Sequence, residues 1–248
     1  MERAEVLRGL TATGRVHDPA ELRRLATEFG LPASDMFVVA GRPVPAHLLP
    51  PVRDRDVMRE FAYRVTFCDH AQLASVEAFV LALPSATPTP VPHSVTPAPS
   101  GTDGFGLVLA GLMRNRGFGA REMPFTGLAR GTINGLLSGR WHSLKQLKAM
   151  AGPLGWRLAD LAAVVGEPLG PFDDCSVLCR HVGRVYAAAI PLTTDQLKQA
   201  ATEADRLSGR IDHGAWRPVA TEIDDCPDGT GPETADRPGR GALQDRGS

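Results

Sequence analysis

Apolar residues recur at helical spacing twice in this chain, in nearly the same wording. In GRVHDPAELRRLATEFG, Gly14 to Gly30, the residues Leu22, Leu25, Ala26 and Phe29 fall three or four apart, which puts them on one stripe of a helix. In GRWHSLKQLKAMAGPLG, Gly139 to Gly155, Leu147, Met150, Ala151 and Leu154 do the same. Asp18 and Ser143 stand where an N-cap belongs, with Glu21 and Gln146 three residues on. That is the capping-box arrangement, which satisfies orphan amides at a helix start. Gly30 and Gly155 are C-terminal stops, because glycine takes the left-handed backbone at no steric cost. A second short helix is predicted over about 33–40 and again over about 158–165. Gly41 and Gly166 close these, with Pro43 and Pro168 just beyond.

Aligned without gaps, residues 14–44 and 139–169 share ten identical pairs in 31: 14/139, 15/140, 17/142, 22/147, 26/151, 30/155, 35/160, 39/164, 41/166 and 43/168. Such density at one offset predicts an imperfect internal duplication, offset by about 125 residues. The echo continues more weakly. Residues 54–83 read as helix with Val57, Met58, Phe61, Ala62 and Val65 on one face, then a second helix from about Ala71. Residues 175–188 and 194–207 read alike, and DHAQL near residue 70 resembles TTDQL near residue 194. No strand pairs with hairpin signals occur, so the predicted class is all-α, two similar helical units.

The stretch SATPTPVPHSVTPAPSGTDG is rich in proline, serine and threonine and cannot bury a core, so it reads as a semi-extended linker. The expected organisation is a truncated helix-turn-helix-like unit with a helical hairpin over 1–84 and a linker over 85–104. A helix-turn-helix domain over 105–169, a second hairpin over 170–216 and a polar tail expected to be disordered over 217–248 complete it.

The second unit carries the candidate chemistry. Before Gly139 stands FGLVLAGLMRNRGFGAREMPFTGLARGTINGLLSGR. Residues 107–116 make an apolar-faced helix and residues 119–125 a short second one. After a glycine turn at Gly127 comes a third helix, about Ala129–Ser138, with Ile133, Leu136 and Leu137 facing inward. Short helix, glycine turn and helix with an apolar inner face is the helix-turn-helix layout.

Three strings, T-G-L-A-R-G-T-I-N-G-L-L-S-G-R, then S-L-x-x-L-x-x-x-A-x-x-L-G, then L-A-D-L, make residues 105–166 resemble the repressor/Cro-like (XRE-type) helix-turn-helix family. A truncated degenerate copy covers about 6–44. The resemblance implies a five-helix DNA-binding domain whose third helix enters the major groove. It places Arg130, Gly131, Thr132, Asn134 and Gly135 toward base edges. Arg130 suits guanine and Asn134 adenine. Arg140 and His142 would meet phosphates, with Arg114, Arg116 and Arg121 adding electrostatic attraction. The first copy, in which LRGLTATGR parallels INGLLSGR with one extra residue, has nothing upstream for helices one and two.

Charge agrees in direction. The chain has net charge −1, yet residues 103–169 hold eight Lys/Arg and four Asp/Glu, for +4. Residues 1–83 sum to −1 and residues 170–248 to −4. The longest apolar runs fall short of the roughly 18 residues of a membrane span, and the N-terminus lacks the pattern of a signal peptide. Four cysteines in 248 residues make no disulfide framework, so a cytoplasmic protein is expected. Cys175, Cys179 and His181 lie close together, but two ligands on one helix make no zinc site alone. Trp156 and Trp216 read as packing residues, and His17 as a turn-stabilising one. No phosphate loop or catalytic triad is present, and neither an enzyme, a cofactor nor a metal is expected.

Two readings follow. One is a DNA-binding transcriptional regulator of double-stranded DNA, with the hairpins mediating self-association or binding a protein partner. The other is a non-enzymatic interaction adaptor on a degenerate helix-turn-helix scaffold. It is favoured by Glu122-Met123-Pro124, where the family usually carries a Leu-Ala pair, and by Gly131 and Gly135, which offer bases no side chain.

Overall fold

Short helices dominate the local structure, and glycines in the left-handed conformation close several of them. In the computed structural model, which describes residues 3–12, 17–84, 104–120, 123, 126–139, 143–167 and 176–209, the helices are α1 (Arg3–Ala12), α2 (Pro19–Phe29), α3 (Ala33–Val39), α4 (Arg55–Val65), α5 (His70–Ala82), α6 (Gly104–Asn115), α7 (Arg130–Leu137), α8 (Leu144–Leu154), α9 (Leu158–Val165), α10 (Val177–Ala188) and α11 (Thr194–Ser208). A 3-10 turn covers Ala46–Leu48, and no strand occurs among the described residues. The class is all-α. The predicted linker and tail fall outside the described residues, apart from Gly104 at the start of α6.

The two predicted α-α corners have matching geometry. α2 ends at Gly30 (φ 61°) and α8 at Gly155 (φ 70°), both left-handed. The next amides, of Leu31 and Trp156, each donate to a carbonyl five residues back, at 2.9 Å. The caps differ. Ser143 and Gln146 make the full reciprocal box, whereas the Asp18 carboxylate accepts only from the Ala20 amide, and Glu21 sits 3.7 Å from His17 instead.

The two parts of the chain close on each other crosswise. α4 packs on α11 and α5 on α10, with α5 also against α11. Tyr186 on α10 is fully buried; its hydroxyl donates to the Ala62 carbonyl of α4 at 2.8 Å, and its ring stands edge-on to Phe61 and Phe118. The Gln72 amide donates to the Leu207 carbonyl at 2.8 Å, and the Gln196 amide donates to the Pro84 carbonyl at 2.7 Å. Each is also the N3 member of its own capping box, so one side chain both starts its helix and ties down the end of another.

A second pair of crossed contacts joins the corner units. Arg3 on α1 donates to the Phe29 carbonyl at the end of α2 and pairs with Asp160 on α9 at 2.6 Å. Arg116, just past α6, donates to the Leu154 carbonyl at the end of α8 and pairs with Asp35 on α3 at 2.7 Å. Asp35 also accepts from the Asn115 amide at 2.8 Å and the Trp156 indole at 2.9 Å. Asp35 and Arg116 have no exposed surface, so each buried charge is offset by the other and by neutral donors and acceptors. The expectation that Arg116 attracts nucleic acid is therefore corrected: its charge is spent inside the fold.

Cys68 follows α4 and is 1% exposed, with its thiol 3.8 Å from the Ala204 carbonyl. Burial, then the nearby Asp69 carboxylate, pushes its pKa up to about 11. The thiolate is the reactive form, so Cys68 should resist iodoacetamide at neutral pH in the folded protein and label readily in urea. Peptide mass spectrometry reads the site directly, and full labelling of the native protein would contradict this packing.

Candidate nucleic-acid interface

The segment leading into α7 is built from buried anchors and glycine turns. Gly117 (φ 72°) turns the chain out of α6 so that Phe118 is buried. Met123 and Thr126 are buried next, the Thr126 hydroxyl donating to the Met123 carbonyl at 2.8 Å and accepting from the Leu128 amide at 3.1 Å. Gly127 (φ 71°) then supplies the sharp turn that a residue with a Cβ would resist. Of the short helix predicted over 119–125, the described residues Gly119, Ala120 and Met123 lie outside any helix, and the others lie outside the described residues. The turn closes instead by a Thr126 amide bond to the Met123 carbonyl, at 3.1 Å.

α7 packs chiefly on α6. Its apolar stripe is hidden, with Ile133 and Leu136 no more than 1% exposed. Arg130, Gly131, Asn134 and Ser138 are exposed and share the opposite face, while Thr132 and Gly135 are half-buried at its edges. No side chain caps the α7 start at Ala129. Arg121, Arg140 and His142 lie outside the described residues. Elsewhere in this unit, Arg114, Lys145 and Arg157 are exposed and Lys148 half-buried. With Arg116 and Asp160 both buried and paired, the surface cations of this unit are Arg114, Arg130, Lys145, Lys148 and Arg157 among the described residues.

Other polar residues that the sequence singled out lie in structural contacts. His181 on α10 sits 3.0 Å from the Glu77 carboxylate on α5 and stacks on His70. Cys179 packs against Gly152, and Cys175 lies outside the described residues. No group of three metal-ligating side chains occurs among the described residues. Trp156 is core, as expected, and Trp216 lies outside the described residues. The His17 carbonyl accepts from Arg42.

Sequence reasoning passed over Arg53, which precedes α4. Its guanidinium donates to the carbonyls of Ala189, at 3.0 Å, and Arg116, at 2.8 Å, the ends of α10 and α6. No carboxylate pairs with it among the described residues. Burial alone pulls its pKa down to about 10, so it remains charged at neutral pH. The negative ends of two helices hold that charge in place of an acid. No signal in the sequence marks it, because its acceptors are backbone atoms.

No helix among the described residues is long and apolar enough to cross a membrane. No family model, curated protein or solved structure matches the chain.

Proposed function

We propose that the chain is a DNA-binding regulator that presents α7 to the major groove. The observation that carries this reading is the division of α7: Ile133 and Leu136 are buried, while Arg130, Gly131, Asn134 and Ser138 form an exposed polar face. Arg130 and Asn134 are the side chains with the donor and acceptor geometry to read guanine and adenine edges. Arg114 and Lys145 supply attraction to phosphate that carries no sequence information.

The same proposal accounts for the crossed contacts. We read the chain as an internal duplication in which each half completes the other, as two subunits do in a twofold dimer. Arg3 and Arg116 make equivalent bridges from non-equivalent helices, joining a corner carbonyl of one half to the aspartate of the other. Gln72 and Gln196 do likewise at the hairpins. With those surfaces used within one chain, and with one recognition helix, the protein binds a single half-site as a monomer. This differs from the paired half-sites of dimeric repressors.

The alternative, a protein-interaction adaptor, is favoured by the non-helical Gly119, Ala120 and Met123 and by the two glycines on α7. Mobility shifts against genomic fragments at several salt concentrations separate the two. Arg130→Ala should cost about 1–3 kcal/mol at one base pair and relax specificity there. Absence of any shift at low salt would decide for the adaptor.

A further inference from the structure

We infer that the cleft between α6, the turn before α4 and the end of α7 is a binding site for a small organic anion: a monocarboxylate with an apolar body. The cleft encloses about 510 Å³, within the ~300–1,000 Å³ of small-molecule sites. Pro51, Val52, Ala110, Met113, Phe118 and Leu137 give it apolar walls, and Val52 is 67% exposed with nothing covering it. The charge that the described residues bring to its lining is all of one sign. Among the described residues, Arg53 and Arg114 both line it, and no aspartate or glutamate does.

The two arginines have different parts. Arg114 is exposed and has no side-chain partner among the described residues, so it is free to make the direct, charge-assisted hydrogen bonds to a carboxylate. Arg53 is held by backbone carbonyls and leaves a positive charge in the wall that no acidic group offsets among the described residues. In a partly desolvated site that field acts on whatever occupies the cleft. An alkyl or aryl body against the proline and valine wall, with its carboxylate toward Arg114, satisfies both halves of the lining. A cation meets repulsion, and a neutral amphiphile leaves the charges unanswered.

Three eight-carbon probes isolate the charge: octanoate, octan-1-ol and octylamine, titrated into the full chain without DNA and followed by NMR shifts and calorimetry. Octanoate should bind saturably and perturb residues lining the cleft, with octanol about tenfold weaker, or 1.4 kcal/mol, and octylamine not binding. Arg114→Glu should abolish the preference for octanoate over octanol. Ala110→Phe, which fills the cleft from α6, should weaken both, and unchanged circular dichroism and melting temperature establish that each variant is folded. No saturable octanoate binding, equal affinity for octanol, or binding that survives both substitutions overturns the assignment. Because no step uses DNA, failure here leaves the α7 reading standing, and failure of that reading leaves this one.

Discussion

Replacing Asp35 with alanine is expected to cost about 3–5 kcal/mol, the range for leaving one buried charge without its partner. Arg116, with no exposed surface, would then have lost its only carboxylate among the described residues, while Asn115 and the Trp156 indole would each lose the acceptor they now share. For a chain of this size the loss corresponds to a fall in melting temperature of about 6–20 °C. The interaction's own worth is a separate quantity. The Asp35→Leu, Arg116→Met double variant, which removes both charges, should be far less damaged than the sum of the single changes. Thermal and urea unfolding of the parent, Asp35→Leu, Arg116→Met and the double variant completes the cycle. A single Asp35→Ala variant within about 1 kcal/mol of the parent would mean that the network is wet or loosely held.

Gly183→Ala should cost about 3 kcal/mol, at the upper end of overpacking penalties. A Cβ at Gly183 on α10 would stand 2.1 Å from the Gly152 carbonyl oxygen, 2.3 Å from the Gly155 nitrogen and 2.4 Å from its Cα. Those atoms form the last turn and left-handed cap of α8, so they cannot retreat without breaking the cap. Gly111→Ala on α6 provides the contrast. There the nearest atoms to the new Cβ all belong to the Val38 side chain, 2.5 Å from its closer methyl, and a smaller penalty of about 1 kcal/mol follows. Urea midpoints with an unchanged slope would read both effects as stability. Equal penalties would show that the α8–α10 crossing is less tight than the backbone contact requires.

The helices and their ends were legible because they are decided locally. Asp18, Ser143 with Gln146, and the left-handed glycines 30 and 155 each act within one turn of themselves. The apolar stripe of α7 was legible for the same reason, and Ile133 and Leu136 are buried where the spacing put them. The partners of the stripes were not. A helical period shows that Val57, Phe61 and Val65 share a face, but not that the face meets α11 rather than its neighbour in sequence. Arg116 misled because arginine is ordinarily a surface residue, and only a distant aspartate keeps it inside. The matched aspartates at 35 and 160 were visible as a repeated letter; that each is met by an arginine from the other half was not. Of the helix predicted over 119–125, Gly119, Ala120 and Met123 lie outside any helix, as the glycines at 117 and 119 favour, and its other residues lie outside the described ones.

The crosswise pairing of the hairpins sets a schedule for synthesis. Ala62 waits for Tyr186, 124 residues behind it, before its half of the bundle closes. At about 5–20 residues per second the ribosome takes roughly 6–25 s to supply that partner. Throughout that interval the nascent α4 and α5 display apolar faces with no cognate surface yet made, and a chaperone is the natural custodian of such a chain.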